Sequence, residues 1–351
     1  MTADELAKLI DDGGLIRKVS FAHSNLANTA LLGGVFDSVD FSDADLRGTT
    51  LAQAVFTQCT LVNANLDGAD LTGATLVECD LSGALLTGIQ AGKAKFVRTN
   101  LSRAQFARTP LVHTTIVACD LTDTVFAGVQ LEQTSILKCA TTGIDLSDTV
   151  WHRAAFLNAD LRTAKLEGMQ MSHTAMVDAN FAGRSLSGFD FATCMLNGAD
   201  FTGCDLTGAD FTQCMLASAK LQDARLQGAK LSRAVLSKAR LTRADLADAD
   251  LTQAILVEAD ATGAMLPRAV LYQCTANGLI APEATFDGAD LTYADFSHAI
   301  LDRATLRGVI LNRTNFHAIS DQDALIPSRV GALATDPDRR TAETWHQRAR
   351  D

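Results

Sequence analysis

The sequence predicts an all-β solenoid in which short sides wind around one apolar axis, and three observations carry that prediction. Every fifth residue from Phe21 to Phe316 is a centre position, sixty in all without a slip of phase, and fifty of them are Leu or Phe. Two residues before each centre the side chain is small, with thirty Ala, ten Thr and all eight Cys. Two residues after a centre stand nineteen glycines, among them Gly68, Gly73, Gly203 and Gly208. A tight turn needs a permissive backbone there. A period of five fits neither the 3.6 of a helix nor the 2 of a strand, so neither element keeps the centres on one face. A coil whose sides are five residues long keeps them all inside.

The window NGADFTGCDLTGADF, residues 197 to 211, shows the unit as A-D-L/F-T-G. On these residues the chain resembles the pentapeptide repeat proteins, whose motif is A-(D/N)-L-x-x, over about 300 of its 351 residues. The resemblance implies a right-handed, four-sided (quadrilateral) parallel β-helix with twenty residues per coil. The sixty units would then make about 15 coils, roughly 70 Å at the spacing of adjacent strands. Centres ten residues apart would face each other, which sets Trp151 against the small Thr141. Ala91 follows Ile89 and Ala281 follows Leu279, so volume missing at the centre is returned two residues earlier.

The ends follow. Residues 2 to 12 read as a capping helix, with Thr2 as cap, Asp4 and Glu5 in the first turn, and Leu6, Leu9 and Ile10 on one face before Gly13-Gly14. The expected divisions are a cap and turn over 1–18, the repeat over 19–318 and a partly helical tail over 319–351. In that tail Asp336-Pro337 starts a helix running to Trp345. The tail is a candidate cap or docking segment. A length of 351 residues would ordinarily suggest about two domains; the unbroken register argues for one solenoid. The segment NGLIAPEATF, 277–286, has weak centres and Pro282 and is the candidate bulge. Arg184 and Phe189 break the inward rule and read as a local distortion.

Composition narrows function. Thirty basic against 41 acidic residues, a net charge of −11, argue against direct nucleic-acid binding, which depends on accumulated Lys and Arg. The first ten residues lack the pattern of a secretory signal, and no apolar run reaches the length of a spanning helix. A bacterial cytoplasmic location is expected, with no membrane association; export by a signal-independent secretion machine is the variant of that expectation. Cys59, Cys79, Cys119, Cys139, Cys194, Cys204, Cys214 and Cys274 all occupy the small inward position, where Cys packs like Ala. His152 and His173 are the one histidine pair expected to lie close, with no third ligand, so neither metal nor cofactor is expected. The aspartates before centres (Asp40, Asp70, Asp80, Asp120, Asp200, Asp205 and Asp210) are expected to face outward and bond to turns. With no catalytic constellation, an enzyme is not expected.

The outward residue before each centre can be read as four columns, one per side. One column is apolar over six consecutive coils: Ala155, Ala175, Met195, Met215, Val235 and Ile255. A contiguous stripe suggests a contact surface for a partner, a second copy or the tail; the plain alternative is tolerated surface Met and Val. Lys220, Arg225, Lys230, Arg233, Lys238, Arg240 and Arg243 form a basic belt between acidic coils. It is either a docking patch or a means of neutralising the coils around it. Ile280, Ile300 and Ile310 are outward near the end, to be covered by the tail or, as the resemblance implies, by a homodimer through C-terminal coils. The expected function is a non-enzymatic protein-binding scaffold or adaptor, which the resemblance sets beside secretion machinery of the type VI kind. The alternative it implies is a DNA-mimicking gyrase-binding protein conferring quinolone protection.

Overall fold

Twenty residues, four pentapeptides, separate bridged neighbours in the computed structural model, which describes residues 3–348; only the last bridge, Asn315 to Leu333, is shorter, at eighteen. Thr2, the expected helix cap, lies outside the described residues. The chain divides into two compact units, Met1–Asn180 and Phe181–Asp351, called here unit 1 and unit 2. Each is a four-sided, right-handed parallel β-helix, the hand that parallel crossovers adopt.

Unit 1 opens with helix α1, Ala3–Asp11, which buries Leu6 and Ile10 but leaves Leu9 39% exposed. The helix ends on Gly13 at φ 75°. The Gly13 amide donates to Ile10 O and the Gly14 amide to Leu9 O, each at 2.8 Å, a Schellman closure that satisfies the last carbonyls. Strand β1, Leu15–Arg17, follows directly and buries Ile16. The ladder thus begins one pentapeptide before the sequence boundary at 18/19.

On that side β1 continues through β2 (Val35–Asp37), β3 (Val55–Thr57), β4 (Thr75–Val77) and β5 (Lys95–Val97). After β6 (Pro110–Val112), on another side, come β7 (Thr115–Val117), β8 (Gln130–Glu132), β9 (Ser135–Leu137), β10 (Val150–His152), β11 (Ala155–Leu157) and β12 (Gln170–Ser172). Strands β1, β2, β3, β4, β5, β7, β9 and β11 make an eight-stranded parallel sheet; β12, β10, β8 and β6 make a four-stranded one. The larger sheet stacks eight strands one coil apart, and isolated bridges continue the same twenty-residue spacing to Ala175 on that side and through unit 2.

The residue before the centre shapes the local backbone. Extended sides of unit 1 carry β-branched residues around the centre, as in Val55-Phe56-Thr57 and Thr115-Ile116-Val117. Turn sides carry Asp or Asn, whose Oδ1 accepts the amide two residues on: Asp40 from Ser42, Asp70 from Thr72 and Asp120 from Thr122, all at 2.9 Å. Asp80, Asp200, Asp205 and Asp210 do the same, as the sequence led us to expect.

Unit 2 holds its coils by isolated parallel bridges. One side runs Met195, Met215, Val235, Ile255, Thr275, Asp295, Asn315, Leu333. Phe181 stacks on Phe201 at 5.0 Å and Phe191 on Phe211 at 5.0 Å, while Phe191 and Phe201, ten residues apart, meet edge-on at 5.5 Å. Centres ten apart therefore meet across the axis. The 277–286 segment forms no bulge: the Ala281 amide reaches Ile300 O at 2.8 Å and the Glu283 amide reaches Asp302 O at 2.9 Å. Pro282 is tolerated because it stands where turn sides offer an amide to Asp, and the residue two before it is Ile280, which has nothing to accept one. Ile89 and Leu279 are buried beside Ala91 and Ala281.

The threonine hydroxyls inside are satisfied, and Gln222 Oε1 is the one buried side-chain polar atom without a partner among the described residues. Thr114 and Thr134 hydroxyls each donate at 2.7 Å to carbonyls of Ala91 and Leu111. Trp151 is fully buried, its indole N–H donating to Thr149 Oγ1 at 2.9 Å. Thr141, the polar centre, donates to Asp160 O at 2.7 Å and accepts the Asp160 amide at 3.1 Å. All eight cysteines are buried free thiols. Cys119 and Cys204 donate to Phe96 O and Phe181 O as threonines would, and burial pushes the Cys204 thiol up to about 11. They are packing residues.

Candidate functional site

The apolar stripe falls into one part in each unit. In unit 1, Ala155 and Ala175 are bridged and half-buried. In unit 2, Met195 (43% exposed), Met215 (42%), the half-buried Val235 and Ile255 (36%) are consecutive on one ladder. Three steps of strand spacing make this row about 14 Å long. Thr275 and Asp295 end it.

The basic belt is paired mostly with the adjoining coils. Lys220 meets Asp200 at 3.1 Å, Arg225 meets Asp205 at 2.6 Å and Lys230 meets Asp210 at 3.2 Å, each one coil below. Arg243 grips Asp223 through two nitrogens at 2.7 Å, Lys238 reaches Glu258 at 3.5 Å, and Arg233 donates to Gln253 at 2.9 Å. Arg240 stands on the ladder between Lys220 and Asp260. Of the two readings of the belt, neutralisation is the one this geometry carries. The aspartates titrate below their usual value. For Asp205 the Thr207 hydroxyl is the largest cause, followed by the Thr207 amide, with Arg225 adding to both. For Asp200 and Asp210, burial acts upward but is outweighed by bonds from Thr202 and Thr212 and by the lysine charge.

Depressed carboxylate values stabilise the fold at pH above the unfolded value, here 3.8 for Asp, and that stabilisation is lost as pH falls through the lower folded values. Stability from these groups is therefore expected to be level from neutral pH down to about 5 and to fall below about 4. Urea midpoints measured against pH check this; a midpoint falling already between pH 7 and 5 would contradict it.

Ile280 and Ile300 are adjacent on one ladder, 38% and 39% exposed, and with Pro282 and Arg303 line an open groove of about 300 Å³. Ile310 (52% exposed) is bridged to Asp290 on another ladder. The three therefore do not make one surface, and although Gln322 and Asp323 of the tail line the groove, its described part leaves each of the three more than a third exposed. Arg184 is half-buried and lines a shallow groove with Ser185, Asp205, Asp223 and Arg225. Phe189 packs on Phe191 at 4.7 Å.

The tail docks elsewhere. Residues beyond 318 still bridge to the coils, Leu325 to Thr305 and Leu333 to Asn315. Helix α2 then runs Pro337–Arg348, as Asp336-Pro337 predicts. Asp336 Oδ1 accepts the Asp338 and Arg339 amides at 2.9 and 3.1 Å, an N-cap with Pro at the first helical position. Glu343 of α2 reaches His317 Nε2 with Oε2 at 3.1 Å and His298 Nε2 with Oε1 at 3.3 Å. The two rings are 5.4 Å apart, and His317 is only 2% exposed. His152 and His173 also lie close, at 6.2 Å, with His152 Nδ1 2.7 Å from Ser172 Oγ. They are not the one close pair, however, and among the described residues only His298, His317 and Glu343 bring three metal-capable groups together. The spacing of 19 residues, nearly one coil, was the available signal for the two rings; nothing in the period reports where the tail returns. Glu343 lies below its usual value, mainly through the His317 hydrogen bond.

Among the described residues no helix is long and apolar enough to cross a membrane. HetL, a pentapeptide repeat protein of the cyanobacterium Nostoc sp. described as involved in heterocyst differentiation regulation, is 28% identical over 76% of this chain and 98% of its own, with a TM-score of 0.25. QnrB1, a plasmid-mediated fluoroquinolone resistance protein, is 16% identical over 52% of this chain and 91% of its own, at 0.36. A pentapeptide repeat protein of the Arabidopsis thaliana thylakoid lumen is 30% identical over 34% of this chain and 63% of its own, at 0.16. No curated protein matches. The family model for pentapeptide repeats matches in eight copies, over residues 17–53, 50–88, 176–213, 219–256, 244–280, 254–292 and 283–317. Eight copies are far fewer than the sixty register positions, yet they span more than half of the sequence, and the chain belongs to the pentapeptide repeat family.

Proposed function

We propose that this protein is a non-enzymatic scaffold that binds another protein through the side of unit 2 bearing Met195, Met215, Val235 and Ile255. The observation that carries the reading is the contrast between that row and its surroundings. Charged side chains on the neighbouring coils are engaged with one another, whereas four consecutive apolar residues face outward with no polar group between them. A row of this kind loses water on contact with an apolar partner surface, and that loss drives association. The family resemblance supports a bacterial adaptor setting. A DNA-mimicking role fits less well, since it needs an uninterrupted negative surface and here Asp200, Asp205, Asp210 and Asp223 are each paired with a base.

Replacing Met195, Met215 and Val235 together by Asp is expected to abolish partner binding in pulldowns from the native host while leaving the melting temperature within a few degrees of wild type. Undiminished capture by a folded triple variant refutes the contact surface. Inhibition or protection of gyrase supercoiling at micromolar protein would move the function to the DNA-mimicking class.

A further inference from the structure

We propose that His298, His317 and Glu343 form a binding site for one divalent transition-metal ion of the zinc type, which clips α2 onto the last coils of unit 2. Three segments of the chain converge: the turn after Phe296, the residue after Phe316, and the second turn of α2. Their ligand atoms all lie within 4.8 Å of one another. Oε2 of Glu343 lies 3.1 Å from His317 Nε2 and Oε1 lies 3.3 Å from His298 Nε2, each close to the edge of about 3.3 Å that a tetrahedron with metal–ligand bonds of about 2.0 Å requires, and one oxygen serves both rings once the carboxylate turns. Two imidazoles and one carboxylate with an open fourth position suit a borderline ion such as Zn²⁺ and not Mg²⁺ or Ca²⁺, which take oxygen donors in larger number.

Two features of the cluster must yield to the ion. Arg339 Nε and Arg340 Nη1 contact the Glu343 carboxylate at 3.1 and 3.9 Å. Both guanidinium side chains are about half exposed, 50% and 51%, so they swing into water at little cost. The Asp336 amide donates to His317 Nδ1 at 3.1 Å, so Nε2 carries the ring proton and donates it to Glu343. Coordination through Nε2 moves that proton to Nδ1, which breaks the Asp336 contact. Asp336 also caps α2, so metal uptake shifts the first turn of the helix. The ion therefore couples the clip to the position of the tail.

The test uses the full chain with its cysteines reduced, titrated calorimetrically with Zn²⁺ alone and in parallel with Co²⁺ followed by absorbance. Wild type is expected to take up one equivalent of Zn²⁺, to ignore Mg²⁺ and to gain hydrogen exchange at the Asp336 amide. His298→Ala and Glu343→Gln, both at partly exposed positions, are expected to stay folded and to lose this saturable uptake. Absence of uptake by wild type, or equal uptake by the variants, overturns the site and leaves a hydrogen-bonded clasp. Near-ultraviolet thiolate bands with Co²⁺ that persist in both variants would place the ion on cysteine and overturn it equally.

Discussion

Phe201→Ala is expected to destabilise unit 2 by about 3–5 kcal/mol, the range for deleting a buried aromatic ring. Phe201 is fully buried and touches three other rings, stacked on Phe181 at 5.0 Å and edge-on to Phe191 and Phe211 at 5.5 and 5.7 Å. Main-chain bonds tie its coil to the next, with the Phe201 amide donating to Lys220 O at 2.7 Å, so the coils cannot close over the void. Phe201→Leu is the informative partner substitution, since Leu and Phe alternate freely at centres and a volume-near swap costs under about 1.5 kcal/mol. Urea midpoints at unchanged slope read both. A Phe201→Ala loss no larger than that of Phe201→Leu would mean the axis is loosely filled.

Ala229→Asp is expected to prevent folding of unit 2, while Ala229→Cys leaves it near wild type. Ala229 is fully buried at the small inward position, with its carbonyl accepting the Asp250 amide at 3.0 Å and Ala209 O accepting the Lys230 amide at 2.9 Å. A carboxylate there has no water and no partner, and an uncompensated buried charge costs more than the whole stability of a typical domain of about 5–15 kcal/mol. Cys adds only one sulfur, and Cys204 and Cys214 already fill equivalent positions of the neighbouring coils. Circular dichroism and soluble yield of the two variants check this. A folded Ala229→Asp protein would show that the inward position opens to solvent.

Much of this was legible because the register is strict. Centres, small positions and turn aspartates follow from position alone, and the structure places them where the five-residue period does. Helix α2 was readable too, since Asp-Pro is a local cap. Features that depend on distant segments were not. The division at Asn180/Phe181 has no mark in the period beyond Arg184 and Phe189 just after it. Hydrophobicity groups Ile310 with Ile280 and Ile300, yet it stands ten residues after Ile300, half a coil on, and so on a different side. The belt of Lys220 to Arg243 looked like a docking patch in one dimension, and stacking paired most of it with the coil below. His298 and His317 became a site only when the tail brought Glu343 to them.

The contact surface on unit 2 is tested most directly by a photo-crosslinking residue placed at Met215 and, as control, at Met265. The two methionines are alike in exposure, 42% and 44%, but stand on different ladders. In native-host lysate, position 215 is expected to crosslink one dominant protein, which position 265 does not, and the Met195→Asp, Val235→Asp background is expected to remove that band. Equal crosslinking from both positions, or a band at 215 that survives the two substitutions, would contradict the stripe as the binding surface.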